Sequence, residues 1–319
     1  MYPMINSWVT FKTNKEGNYC IKDHLLDDEY TVEPEVAHFL RRLDGKTNPY
    51  SINSSFSKSE IKQILEMADD MFLVRKSKTV IKTFGSLYRT LYTVKPNRNR
   101  RTYCRALNAL LMLLWLPVLL IGIKTFLNGF DRNLSFDYIT LGSIVSLIIG
   151  MFLHEIGHGV STICYGGKVF EMGIKIGLLP GAYVFSDDTN IKSTMKRIQT
   201  LAAGVEMNFM FSGVLLILAV CLPQFAGFCF GGAITNFSIG LLNLLFIEGL
   251  DGQKIVCELL GDSELFNKAK RALFISKERK RILKEGGQGY VKLVACASLL
   301  SFQILLPIII IINILGVLT

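Results

Sequence analysis

The chain is poor in charge, in histidine and in the paired cysteines that staple small secreted folds. Charged residues make up only 19% of the 319 residues, against 50% hydrophobic, and the mean hydropathy is +0.37. A disordered chain needs low hydrophobicity, so disorder is excluded. The seven cysteines (Cys20, Cys104, Cys164, Cys221, Cys229, Cys257 and Cys296) are scattered and contain no CxxC pair. Neither a disulfide framework nor a cysteine zinc site is expected from them, and they read as small apolar fillers of helices. Residues 1–30 have no apolar h-region, only Trp8-Val9-Thr10-Phe11 between polar stretches. No signal peptide is expected, and the N-terminus is expected to stay in the cytoplasm.

The apolar residues are not spread evenly. Residues 1–105 are polar and basic, and beyond them come runs of the length that crosses a bilayer. About five spans are expected, at 106–127, 138–165, 199–222, 230–250 and 291–317. The last contains Pro307, which a membrane helix tolerates as a kink. Segment 75–105 has ten Lys/Arg and no acid, 166–198 has five Lys/Arg, and 251–290 has nine. The intervening loops are neutral: 124–137 has two basic and two acidic residues, and 223–229 has no charge. By the positive-inside rule, the N-terminus and the basic segments are cytoplasmic and the C-terminus is outside, in the cell membrane. Topology thus accounts for the net charge of +9, and no nucleic-acid partner is expected. The stretch Lys268 to Lys284 mixes apolar and basic residues and reads as an amphipathic helix on anionic lipid or a solvated linker helix.

The expected organisation is a small α+β domain over 1–80, a basic linker over 81–105, and a mainly α-helical polytopic membrane domain over 106–319. Residues 8–12 and 18–22 predict a hairpin about Glu16-Gly17-Asn18. Pro34 to Leu43 predicts a helix, with Pro34 in its first turn and Val36, Phe39, Leu40 and Leu43 on one face. Ser57-Lys58-Ser59-Glu60 has the form of a capping box opening a second helix, with Ile61, Ile64, Leu65 and Ala68 as its stripe. Met71 to Val74 then reads as a strand. This order is that of a winged helix. The run Val36 to Gly45 resembles PqqD-like domains, the leader-recognition elements of modified-peptide pathways. The resemblance implies a domain that takes an extended peptide onto its sheet edge. A purely structural cap is the other reading. His24 and His38 fall outside any ligand pattern and read as surface or packing residues.

The chemistry-bearing motif is Phe152-Leu153-His154-Glu155-Ile156-Gly157-His158-Gly159. This is HExxH. Helical residues four apart share a face, so both imidazoles reach one metal ion, and Glu155 stands close enough to act as a general base. The motif follows the apolar stretch Ile139 to Leu153, which has no Lys or Arg. Ionisable groups at membrane depth are costly and usually functional. Two buried helix histidines with ordinary hydrogen bonds would leave Glu155 unpaired in an apolar setting. One Zn²⁺ balances two neutral histidines, a carboxylate ligand and a carboxylate base. A catalytic zinc needs a third protein ligand. No histidine follows His158, so that ligand is Glu206, Glu248 or Asp251, and spacing does not choose among them.

The chain resembles the site-2 protease family of membrane-embedded zinc metalloproteases (peptidase family M50-like). That family carries HExxH in one span and NxxPxxxLDG in a later one. Here Asn243-Leu244-Leu245-Phe246-Ile247-Glu248-Gly249-Leu250-Asp251-Gly252 keeps the asparagine, its spacing and the Leu-Asp-Gly. Gly204-Val205-Glu206-Met207-Asn208 matches in part the family's Gly-Pro-x-x-Asn. Phe246 and Val205 stand where the family has proline, which marks a divergent branch. The resemblance implies zinc on His154, His158 and Asp251, Glu155 as base, Asn208 as oxyanion or substrate donor, and Asn243 as a substrate contact. Residues 166–190, with a Pro180-Gly181 break, predict a re-entrant β-hairpin. The resemblance gives it the task of holding substrate as an added strand, with Ile174 and Ile176 as contacts. An interfacial loop is the other reading.

The expected function is metalloproteolysis of a ribosomally made peptide precursor during maturation or export, with a co-encoded exporter as partner. The alternatives are regulated intramembrane proteolysis of a single-span protein, a non-catalytic zinc-binding receptor or transporter component, and a metal transporter.

Overall fold

The structure, a computed structural model, describes residues 2–13, 19–23, 28–52, 54–71, 73–75, 79–82, 86–94, 99–129, 135–176, 181–245, 249–262 and 280. The span expected at 291–317, the amphipathic stretch 268–284, the hairpin turn at residues 16–18 and Glu248 lie outside the described residues, save Lys280. The chain divides into two compact units. The first joins Met1–Thr102 to Gly166–Asn190, and the second joins Tyr103–Tyr165 to Ile191–Thr319.

In the first unit, β1 (Met4–Ile5) pairs antiparallel with β5 (Val74–Arg75). Strands β2 (Val9–Thr13), β3 (Tyr19–Asp23) and β4 (Asp28–Val32) form an antiparallel meander with β4 at an edge. The expected hairpin is β2–β3, with Val9 opposite Asp23. Helix α1 (Pro34–Arg41) has Pro34 in its first turn and buries Ala37, Phe39 and Leu40. Helix α2 (Lys58–Asp70) opens on the capping box: the Glu60 amide donates to Ser57 Oγ at 3.3 Å, and the Ser57 amide donates to Glu60 Oε2 at 2.7 Å. Hydrogen bonds from the Ser57 side chain, foremost, and from the Ser57 amide hold the Glu60 carboxyl below the usual carboxylate range. The strand expected at 71–74 begins only at Val74, because α2 runs to Asp70 and Met71 caps it. Trp8, Ile21, Phe39, Leu40, Ile61 and Leu73 form the core, each side chain contributing roughly 1.5–3 kcal/mol of burial.

Where a linker was expected over 81–105, the chain forms strands. Strands β6 (Thr79–Lys82) and β7 (Ser86–Thr93) precede helix α3 (Arg100–Gly129). They join β8 (Lys168–Ile176) and β9 (Gly181–Asp187) in one antiparallel sheet of order β6-β7-β8-β9. The expected hairpin is therefore β8–β9, but β8 is an inner strand. The edges are β6 and β9.

Among the described residues, the second unit holds four helices long and apolar enough to cross a membrane: α3, α4 (Phe136–Tyr165), α5 (Thr194–Cys221), and α6 (Ala226–Asn243), which the apolar stretch enters through a short turn at Pro223. Helix α7 (Asp251–Leu260) follows. The bundle is apolar outside, and its interior mixes apolar clusters about Leu119, Phe209 and Leu215 with buried polar side chains. Leu113, Leu120, Ile144, Ile148 and Leu241 are exposed, a pattern suited to lipid contact. Ser146, Thr162, Asn208, Ser212 and Asn236 are buried. Ser212 Oγ donates to the Ala233 carbonyl at 2.8 Å, and Asn236 Nδ2 donates to the Gly232 carbonyl at 2.9 Å and the Ser146 carbonyl at 3.3 Å. Small residues let backbones touch. A side chain at Gly142 would strike the Phe228 backbone, and one at Gly231 would strike Ile139. This is the means by which helices associate where no water drives them together.

Candidate metal centre

Helix α4 carries His154 and His158 one turn apart, and both rings face α5 and the start of α7. Nε2 of His154 lies 3.0 Å from Oδ2 of Asp251, and Nε2 of His158 lies 3.1 Å from the same oxygen. The two Nε2 atoms are 3.0 Å apart. His154, His158 and Asp251 form a group whose ligand atoms all lie within 4.8 Å of one another. Glu206 is outside that group, and both its carboxylate oxygens accept from Gln199 Nε2, at 2.9 and 3.1 Å.

The backbone explains how Asp251 arrives there. Gly249 has φ of +95°, a conformation that favours glycine, and it turns the chain between α6 and α7. Asp251 is the first residue of α7, where a carboxylate complements the helix dipole. A side chain at Gly252 would strike the carbonyls of Leu244 and Leu245. The Leu-Asp-Gly sequence is thus a helix start packed closely on the end of the preceding helix, with the acid in its first turn.

Each ligand is held from behind. The Thr200 carbonyl accepts a hydrogen bond from Nδ1 of His158 at 2.8 Å, which leaves Nε2 free of a proton. Nδ1 of His154 lies 3.2 Å from the amide of Asn208, a residue with no exposed surface. The structure sets Nδ2 of Asn208 against this nitrogen; a histidine that gives Nε2 to a metal carries its proton on Nδ1, and the amide would then turn its oxygen to accept it. Lys254 Nζ stands 3.5 Å from Oδ1 of Asp251, leaving Oδ2 to the histidines. Glu155, half-buried beside His154, has no hydrogen-bond partner among the described residues.

These residues fit a zinc ion. Two imidazole nitrogens and a carboxylate are a common catalytic donor set. Zinc bonds of about 2.0–2.1 Å in tetrahedral geometry put ligand atoms about 3.3 Å apart, and the observed 3.0–3.1 Å is a slightly closed form of that arrangement. Gly204 keeps the space clear. A Cβ there would lie 2.6 Å from His158 Nε2 and 2.7–2.8 Å from His154 ring atoms. Gly204→Ala is expected to abolish stoichiometric zinc binding while the helices remain, as read by metal analysis and circular dichroism of the purified protein.

The structure brings together His154, Glu155, His158, Asn208 and Asp251. Asn208, expected as an oxyanion or substrate donor, lies 3.2 Å from the His154 ring. Asn208→Ala is expected to weaken zinc binding about 10–100-fold, measured by competition with a chromophoric chelator. An oxyanion role alone would leave affinity unchanged and lower kcat. Asn243, expected as a substrate contact, ends α6 half-buried. Ile174 and Ile176 lie on the inner strand β8, opposite Arg89 and Leu87 of β7, so their backbones are not at an edge. Thr200, Gly204 and Lys254 were not singled out from sequence. Gly204 had a signal, the glycine that opens Gly204-Val205-Glu206-Met207-Asn208. A backbone carbonyl such as that of Thr200 has none.

The family model for peptidase family M50 matches residues 142–230, well under half of the chain. That family comprises metallopeptidases, so the match supports a membrane-embedded metalloprotease at family level. The matched stretch contains His154, Glu155, His158, Gly204 and Asn208, and it ends before Asp251. The comparison with curated proteins gave no match, and neither did that with solved structures.

Proposed function

We propose that this chain is a membrane-embedded zinc metalloendopeptidase of the site-2 protease type, and that it cleaves a ribosomally made peptide precursor during maturation or export. The observation that carries the reading is the convergence of His154, His158 and Asp251, with Glu155 beside them, on helices of membrane-spanning character. Basic segments 75–105 and 166–198 flank the α3–α4 pair and therefore lie on one side, which we assign to the cytoplasm of the cell.

Zinc, when bound, supplies Lewis acidity towards water and the scissile carbonyl. Glu155 takes the proton of the attacking water and passes it to the leaving amine. Thr200 and Asn208 hold the two imidazoles in the tautomer that leaves Nε2 free. Asp251 supplies the third donor atom, and Gly204 excludes a side chain from the space between the rings.

A helical peptide has its carbonyls tied up, so an extended substrate is needed, and two strand edges suit one. Strand β9 is one edge. The other is β4, which borders an apolar cavity of about 450 Å³ lined by Tyr30, Val32, Val36, Leu40, Ile64 and Met71. The second supports a role for the N-terminal fold in capturing the precursor.

The test is a substrate trap. Glu155→Ala, expressed in the native host and purified in mild detergent, is compared with wild type by mass spectrometry of co-purifying peptides. A short soluble precursor enriched on the variant supports peptide maturation. A single-span membrane protein in its place moves the reading to regulated intramembrane proteolysis.

A further inference from the structure

Glu171, on β8, is 1% exposed and takes no part in the metal group. It accepts from four side chains. Ser7 Oγ reaches Oε2 at 2.7 Å, Arg75 Nη1 reaches Oε2 at 3.1 Å, Thr90 Oγ1 reaches Oε1 at 3.0 Å, and the Tyr183 hydroxyl reaches Oε1 at 3.0 Å. Arg75 Nη1 also donates to Thr90 Oγ1 at 2.9 Å. The donors come from separate places in the chain: the β1–β2 turn, β5, β7 and β9. A buried charge is tolerated only when paired and hydrogen-bonded, and in this network both carboxylate oxygens are satisfied, while Arg75 Nε has no hydrogen-bond partner among the described residues and its guanidinium lies 5.7 Å from the Trp8 ring centre.

The strands deform to build it. The β7–β8 register shifts between Thr90 and Tyr92, and the β8–β9 register shifts between Val169 and Glu171. Such bulges re-aim side chains. Phe170 enters the core of Trp8, Ile21 and Phe39, and Phe185 packs against it. The Phe185 ring lies 5.2 Å from Trp8 and 4.8 Å from Tyr183. Burial foremost, and then the Glu171 carboxylate, push the Tyr183 hydroxyl above the ordinary tyrosine range, so it remains a donor. A separable N-terminal cap would close its own core. Here two hairpin phenylalanines complete it.

We propose that Glu171 is a positioning residue that couples the N-terminal fold to the β8–β9 hairpin, so that the groove beside β4 and the edge of β9 read one substrate as a single body. The word substrate rests on the proteolytic reading above, but the coupling does not. Occupancy of one edge then orders the other, and a lesion in the N-terminal fold is felt in a hairpin some ninety residues on.

The experiment is hydrogen exchange with mass spectrometry on the full-length protein in detergent. Arg75→Ala leaves the hairpin sequence untouched. It is expected to speed exchange across 168–187 by about tenfold or more, with peptides of α4 and α5 unchanged. Arg75→Lys restores part of the protection. Ser7→Ala, which removes one neutral donor, produces a smaller rise in the same place. A rise confined to residues 5–8 and 73–75 in these variants overturns the coupling. If Arg75→Ala unfolds the unit, Ser7→Ala alone decides by the same criterion. The functional arm adds Ser7→Ala to the Glu155→Ala trap. Captured peptide is expected to fall several-fold at unchanged zinc content. Equal capture overturns the positioning role. A parent trap that captures nothing counts against the proteolytic reading instead, and exchange then decides the coupling.

Discussion

Glu155→Gln is expected to abolish peptide-bond cleavage while zinc stays bound at wild-type stoichiometry. The ligand group is His154, His158 and Asp251, and Glu155 is not in it. Removing its charge therefore costs no donor atom. It does remove the base that takes the water proton and the acid that supplies the leaving amine. General acid–base catalysis is worth about 10²–10⁴ in rate, and this one residue serves both steps, so turnover should fall by at least about 10³. Product analysis by mass spectrometry, paired with metal analysis of the same preparation, checks both halves. Wild-type turnover in the variant would remove Glu155 from the mechanism. Loss of zinc together with activity would make it a ligand.

Asp251→Ala is the second large effect. Among the described residues, it deletes the only carboxylate within reach of both Nε2 atoms. Loss of an outer-shell partner already costs about 10–100-fold in metal affinity, so loss of the ligand itself is expected to exceed about a hundredfold, and cleavage falls with it. Titration with zinc against a competing chelator measures the first, and product analysis the second. Full zinc and full activity in Asp251→Ala would transfer the ligand role to another acid. Glu206 is poorly placed to take it, with both oxygens held by Gln199.

What could be read in advance follows the range of the interaction. His154 and His158 were legible because a helix puts positions four apart on one face, and that rule needs no tertiary information. The capping box at Ser57 and Glu60 was legible for the same reason. The long helices α3 to α6 showed as apolar runs because length and composition alone mark them. Asp251 was one of three acids until a resemblance separated it from Glu206 and Glu248. Only the packing of α7 against α5 puts its oxygen on the histidines. The strand β7 was hidden in a segment with many cations, although Tyr88, Thr90 and Tyr92 alternate there with Arg89 and Leu91. Its partner β8 lies beyond two long helices, a separation across which local pattern carries no information. Gly204 matters through what it omits, a Cβ between two imidazoles, and no propensity scale registers that.

The most direct test of the central claim is a single-turnover reaction. The peptide recovered from the Glu155→Ala trap is mixed with excess wild-type protein that has been stripped by a chelator and reloaded with one equivalent of zinc, and the products are sequenced by mass spectrometry. Two fragments from one internal peptide bond are predicted, absent from the stripped protein and restored by zinc. An intact peptide on the zinc-loaded protein, or cleavage that persists after the metal is removed, would contradict the account.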